Sequence, residues 1–144
     1  MQQVEDMMSF GVFNPVGHVV AALPRGTDIA AVERALAKVG FGNDKVRRLS
    51  ADDMIKRADA DLAEASPLAS FGHALKLASV HHDMAAAGNS FLIIEAHDDE
   101  TIRLVTEIAI RFNASGAQSY GRWTIEDLIK APDDEAPASG SAQG

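Results

Sequence analysis

The sequence predicts an α+β domain made of two βαβ halves joined by a helical insertion. Three observations carry this. Signals for strand, helix, glycine stop and strand run twice along the 144 residues, at an offset of about 72–74. The segment between the halves has its own helical periodicity. The length suits one domain with a real core. Two βαβ halves in one compact chain make the ferredoxin-like arrangement, a four-stranded antiparallel sheet in the order 4-1-3-2 with both main helices on one face. An open α/β sheet is the alternative; the short chain and twofold repeat favour the first.

In chain order, residues 1–16 hold Met7, Met8, Phe10, Val12 and Phe13, too apolar for a solvated tail and expected to dock on the domain or a partner. The turn "NPVG" follows. "HVVAAL" from His18 to Leu23 reads as a strand that Pro24 and Gly26 end. Thr27 or Asp28 can cap a helix, because a short side-chain oxygen accepts from a free first-turn N–H. Ile29, Val32, Leu36 and Val39 then recur at helical spacing, and Gly40 or Gly42 stops the helix. "KVRRL" (45–49) is the second strand.

The insertion spans about residues 52–88. It opens with a short capped helix. A second helix follows, with Ser66 as cap and Pro67 at its first position. Leu68, Phe71, Leu75 and Ala78 form a stripe that Leu77, Val80, His81 and Met84 widen, and Gly88 ends it. "SFLIIEA" (90–96) is the strongest strand. Asp98 or Asp99 caps a helix facing inward through Ile102, Val105, Ile108, Ala109 and Phe112; Gly116 ends it, and "AQSYGRW" (117–123) is the last strand. Residues 1–131 form one domain, and the tail 132–144, poor in large apolar residues, is expected to be disordered.

One stretch occurs twice. "LSADDMIKRAD" and "WTIEDLIKAPD" pair Ser50 with Thr124, Asp53 with Asp127 and Ile55 with Ile129. Ser50-x-x-Asp53 and Thr124-x-x-Asp127 both read as capping boxes at a strand-to-helix step, with Asp in place of the preferred Glu or Gln. Met54 and Ile55, like Leu128 and Ile129, would pack each short helix down.

"FLII" and "VVAAL" do not alternate polar with apolar, so both sheet faces are expected to be buried. Either the insertion or a second subunit covers the second face. A homodimer is the commonest closed assembly, and the domain is expected to associate.

Composition removes several classes of function. With 13 Lys and Arg against 21 Asp and Glu, the formal charge of −8 disfavours nucleic acid. Lys45, Arg47 and Arg48 make only a small basic patch. There is no cysteine, which excludes disulfides, thiol catalysis and Cys-ligated metals and fits the cytoplasm. No secretory leader and no membrane-length apolar run is visible.

The candidate sites come from the five histidines and the last strand. His81 and His82 precede Asp83, but neighbours on a helix point about 100° apart and metal-binding pairs need i, i+4 spacing. A partly exposed helix surface with one His near the core edge is the plainer reading. His97-Asp98-Asp99-Glu100 is dense in ligand types, yet acidic residues suit a helix start for electrostatic reasons alone. In the 4-1-3-2 order His18 begins one strand and Glu95 ends its neighbour, so the two can face each other. Tyr120 and Arg122 share one face by alternation, with Trp123 on the other as core or interface. The ligand-binding candidates are therefore His18, Glu95, His81, His82, Tyr120 and Arg122. No nucleotide loop or nucleophile motif is present, no catalytic residue or metal ligand set is assigned, and the cofactor is unknown.

With "HVVAAL…AAVERALAKVGF…VRRLSADDM" in view, the first half resembles small bacterial general-stress domains of the heat-induced type. The end resembles uncharacterised proteobacterial proteins carrying a "YGRWTIEDL"-like motif. The resemblance implies a small cytoplasmic accessory protein and no catalytic residues. The expectation is a non-enzymatic protein that self-associates and binds a partner or small ligand. The alternative is a metal- or cofactor-binding protein or small enzyme using His18 and Glu95, or the insertion histidines.

Overall fold

The structure is a computed structural model that describes residues 8–9, 12–13, 15–64, 72–122 and 124–130. In chain order the elements are β1 (Met8–Ser9), β2 (Val12–Phe13), β3 (His18–Leu23), α1 (Ile29–Lys38), β4 (Val46–Leu49) and α2 (Ala51–Glu64). They continue with α3 (Gly72–Ala86), β5 (Ser90–Glu95), α4 (Asp99–Arg111), β6 (Gly116–Tyr120) and β7 (Ile125–Ile129). The architecture is α+β, with four helices and a five-stranded antiparallel sheet in the order β4-β5-β3-β6-β7; β1 and β2 form a separate pair. The expectation of four strands is corrected to five.

The fifth strand comes from the stretch expected to be a helix. In the first copy the helix forms and the hydroxyl half of the box is present. The Asp53 N–H donates to Ser50 Oγ at 3.1 Å, and α2 starts at the next residue. Met54 and Ala58, four apart, are fully buried. The helix is 14 residues long, not short. In the second copy Thr124 and Asp127 cap nothing. Gly121 N donates to Thr124 O at 2.8 Å, closing a hairpin, and Ile125–Ile129 pairs with the free edge of β6. β-Branched residues at 125 and 129 suit a strand, and an unpaired strand edge offers backbone partners that an isolated helical turn lacks.

The sheet lies between two helical layers. Val19, Ala21, Leu23, Leu92, Ile94 and Ala117 face α1 and α4, where Val32, Leu36, Val105 and Ile108 meet them. Val20, Ala22, Phe91, Ile93 and Tyr120 face the other way, where Met54 of α2 and Met84 and Ala85 of α3 meet them. The continuously apolar strands are thus buried on both faces, and the second cover is the chain's own insertion.

The caps explain where α1 and α4 sit. Asp28 accepts from Ala31 N at 3.1 Å. Asp98 accepts from Thr101 N at 2.8 Å while Thr101 Oγ1 lies 3.3 Å from the Asp98 N–H, a reciprocal box that satisfies two free donors. α1 stops at Gly40, whose φ of +104° is costly for other residues. α4 stops at Asn113, with φ +61°, not at Gly116, which begins β6. Asn tolerates this left-handed conformation and so did not announce itself as a stop.

Several expectations lie outside the described residues: the tail from 132, Met7 and Phe10, the Ser66–Pro67 helix start, Leu68, Phe71 and Trp123.

Candidate functional site

The site is built at the end of the sheet where β3 begins and β5 finishes. Gly17 makes it. Its φ of +83° closes the turn in which His18 N donates to Pro15 O at 3.1 Å. Gly17 then extends the ladder both ways, donating to Tyr120 O at 2.7 Å and accepting from Ala96 N at 3.0 Å. The His97 ring lies over it, so close that a Cβ at 17 would come within 2.9 Å of the ring. Only glycine meets both demands.

From this turn β3 sets the register. His18 pairs with Glu95 on one side and with Tyr120 on the other. Partners in an antiparallel ladder share a face, so the three form one row on the side covered by α2 and α3. The His18–Glu95 adjacency read from strand order is present as Cα partners. Their side chains look elsewhere for hydrogen bonds. His18 Nδ1 lies 3.1 Å from Val16 O; a carbonyl only accepts, so Nδ1 carries the proton. Glu95 Oε2 lies 2.8 Å from His97 Nε2.

Glu95 is the charged centre of the group. The hydrogen bond from His97 holds its carboxyl below the usual range against the opposing effect of partial burial, and the charges of His97, Lys45 and His18 act in the same direction. Glu95 stays ionised and fixes the ring opposite it. The pair is open to water, with side chains 64% (His97) and 39% (Glu95) exposed. Its value to stability is small, on the order of 0–1 kcal/mol. What it offers is an oriented imidazole at the surface.

His97 is absent from the candidates that the sequence offers, because it stands with the acidic run at the start of α4. Alternation beyond the end of β5 would have found it, because residues 95 and 97 share a face of an extended chain.

The other candidates are dispersed. Tyr120 is 2% exposed and belongs to the core under α2 and α3. Arg122 is exposed in the hairpin, past the end of β6, so the alternation that put it beside Tyr120 does not reach it. His82 is half-buried on α3, 3.5 Å from Asp59 and 3.6 Å from Asp83. His81 is 3% exposed, not at a core edge but inside the layer between α3 and the sheet. Its Nε2 lies 3.0 Å from Gln118 Oε1, and its ring meets Phe91 edge-on at 5.7 Å and 70°.

Comparison of the chain with protein-family models, curated proteins and solved structures returns no significant match. Function therefore rests on the geometry. Among the described residues no group of three His, Asp or Glu side chains is arranged to hold a metal ion. No helix among them is long and apolar enough to cross a membrane. A void of about 10 Å³ lies between the sheet and α1/α4, lined by Ala21, Leu36, Ile94, Ile108 and other apolar side chains. It has room for about one water and no polar group to hold it, so it is a packing defect and not a ligand site.

Proposed function

We propose that this chain is a non-enzymatic binding protein. In this reading it has a ferredoxin-like core widened by β7, self-associates as a dimer, and takes a partner or small polar ligand at the His18–Glu95–His97 corner. The strand order β4-β5-β3-β6 and the packing of α1 and α4 on one face support the ferredoxin-like part. The observation that carries the site is the hydrogen bond from His97 to an ionised Glu95, in register with His18, at an exposed strand end. An ionised carboxylate between two imidazoles and Lys45 suits a ligand that presents a donor to Glu95 and an acceptor to the rings. Since the insertion covers the second face, self-association falls to the sheet edges. Of these, β4 is short and carries exposed Arg47 and Arg48, which discourages pairing. Among the described residues β7 has no strand on its outer edge, beside half-buried Ile125, Leu128 and Ile129. A cytoplasmic, stress-related role rests on composition and on the resemblance of the first half.

Native mass spectrometry of untagged protein tests this. The expected result is a multiple of the 15.3 kDa subunit, with any small bound molecule lost in Glu95→Gln. A strict monomer with nothing bound would sink the reading. An oriented imidazole–carboxylate pair is also how an enzyme positions a general base, so an enzyme using the same corner is the second reading. A reaction abolished by both Glu95→Gln and His97→Gln would move it to first place.

A further inference from the structure

A titratable group lies where the insertion meets the sheet. Among the described residues the buried ones of α2 and α3 are Met54, Ala58, His81, Met84 and Ala85, and those of α1 and α4 are Val32, Leu36, Val105, Ile108 and Ala109. His81 is the buried imidazole of this set. Its link to the sheet is the 3.0 Å contact with Gln118, itself 2% exposed. An amide oxygen only accepts, so Nε2 carries a proton, and it is burial that favours the neutral ring. A second proton would put a cation edge-on to Phe91 in a site only 3% exposed.

We propose that His81 is a proton-operated latch: neutral, it docks the α2–α3 layer on the sheet; protonated, it releases that layer and uncovers the face formed by Val20, Ala22, Phe91 and Ile93.

The surroundings determine the direction of the effect. β5 presents Phe91 and β6 presents Gln118, neither charged. β7 presents Asp127, the register partner of Gln118. α2 brings Asp59, which lies against His82, and Arg57, whose Nε is buried. The strands of the neighbouring β1–β2 pair contain no titratable residue. Burial lowers the His81 pKa from 6.5, and the Gln118 hydrogen bond and the Asp127 charge only partly oppose this. The docked form therefore resists a proton that the released form accepts. Docking is fully present above about pH 6.5 and weakens as pH falls below it, by up to tenfold per pH unit.

Hydrogen exchange between pH 7.5 and 5.5, expressed as protection factors, tests the latch. Protection of α2 and α3 amides should fall by up to tenfold per unit below pH 6.5 while α1 and α4 hold. His81→Leu should flatten that profile, His82→Gln should keep it, and Asp127→Asn, which removes a charge favouring the cation, should deepen the loss at the acid end. Equal loss across all four helices, or an unchanged acid response in His81→Leu, overturns the proposal. If His81→Leu fails to fold, His81→Gln, which keeps a donor for Gln118 but cannot titrate, decides: an acid response matching the unsubstituted protein overturns it.

Discussion

At the scale of single residues, the corner depends on which group Glu95 faces. Its carboxyl sits below the usual range mainly because His97 donates to it. Replacing that donor should let the carboxyl rise. In His97→Ala the Glu95 titration, followed by carbon NMR of the carboxyl, is expected at higher pH than in the unsubstituted protein. An unmoved titration would show that Lys45 and His18 hold the charge without His97. The stability bound to this interaction is present above the ordinary carboxylate range and is lost as pH falls through the depressed Glu95 pKa. Stability from His81 is lost at higher pH, starting near 6.5, so the two effects separate along the pH axis.

At the scale of elements, the duplicated stretch shows how a local signal is overruled. Ser50 and Thr124 occupy equivalent places in nearly the same words, yet one caps a helix and the other ends a hairpin loop. Ser50→Ala should cost roughly 0.5–2 kcal/mol, the usual loss of an N-cap. Thr124→Ala should stay within about 0.5 kcal/mol, as for an exposed surface change. Urea unfolding of the two variants checks this, and equal costs would contradict the assignment of β7. β7 also carries a bulge: Ala117 pairs with Ile129 and Gln118 with Asp127, leaving Leu128 without a partner across the ladder. The extra residue lets Ile125 pack toward α2 and α3 while Leu128 and Ile129 pack toward α1 and α4.

At the scale of the whole molecule, one sheet serves two cores. Phe91 is 1% exposed and touches the second core through both its neighbours and the His81 ring. Phe91→Ala should cost about 3–5 kcal/mol by emptying a large buried volume. Because Phe91 belongs to the core under α2 and α3, the loss should fall first on that layer, as an early transition by circular dichroism during urea unfolding. A single transition shared with α1 and α4 would mean that the two layers melt together.

Much of this was readable in the chain. Strand positions 18–23 and 90–95, the Asp28 and Asp98 caps, and two-sided burial follow from local chemistry: an unbroken apolar run, a short oxygen before a helix, a glycine after one. The His18–Glu95 pairing followed from strand order alone. What tertiary structure decided was everything that depended on a partner distant in sequence. Whether "TIEDLI" became helix or strand turned on the free edge of β6. Whether the second face needed another subunit turned on where α2 and α3 folded. That His81 sits inside the core, and that the His18 ring turns to Val16 O and not to Glu95, depended on side-chain directions that spacing cannot fix when an insertion and a turn intervene. Local propensities differ by tenths of a kcal/mol to about one, whereas burying a large side chain or pairing a strand edge is worth more, so long-range contacts settled each of these cases.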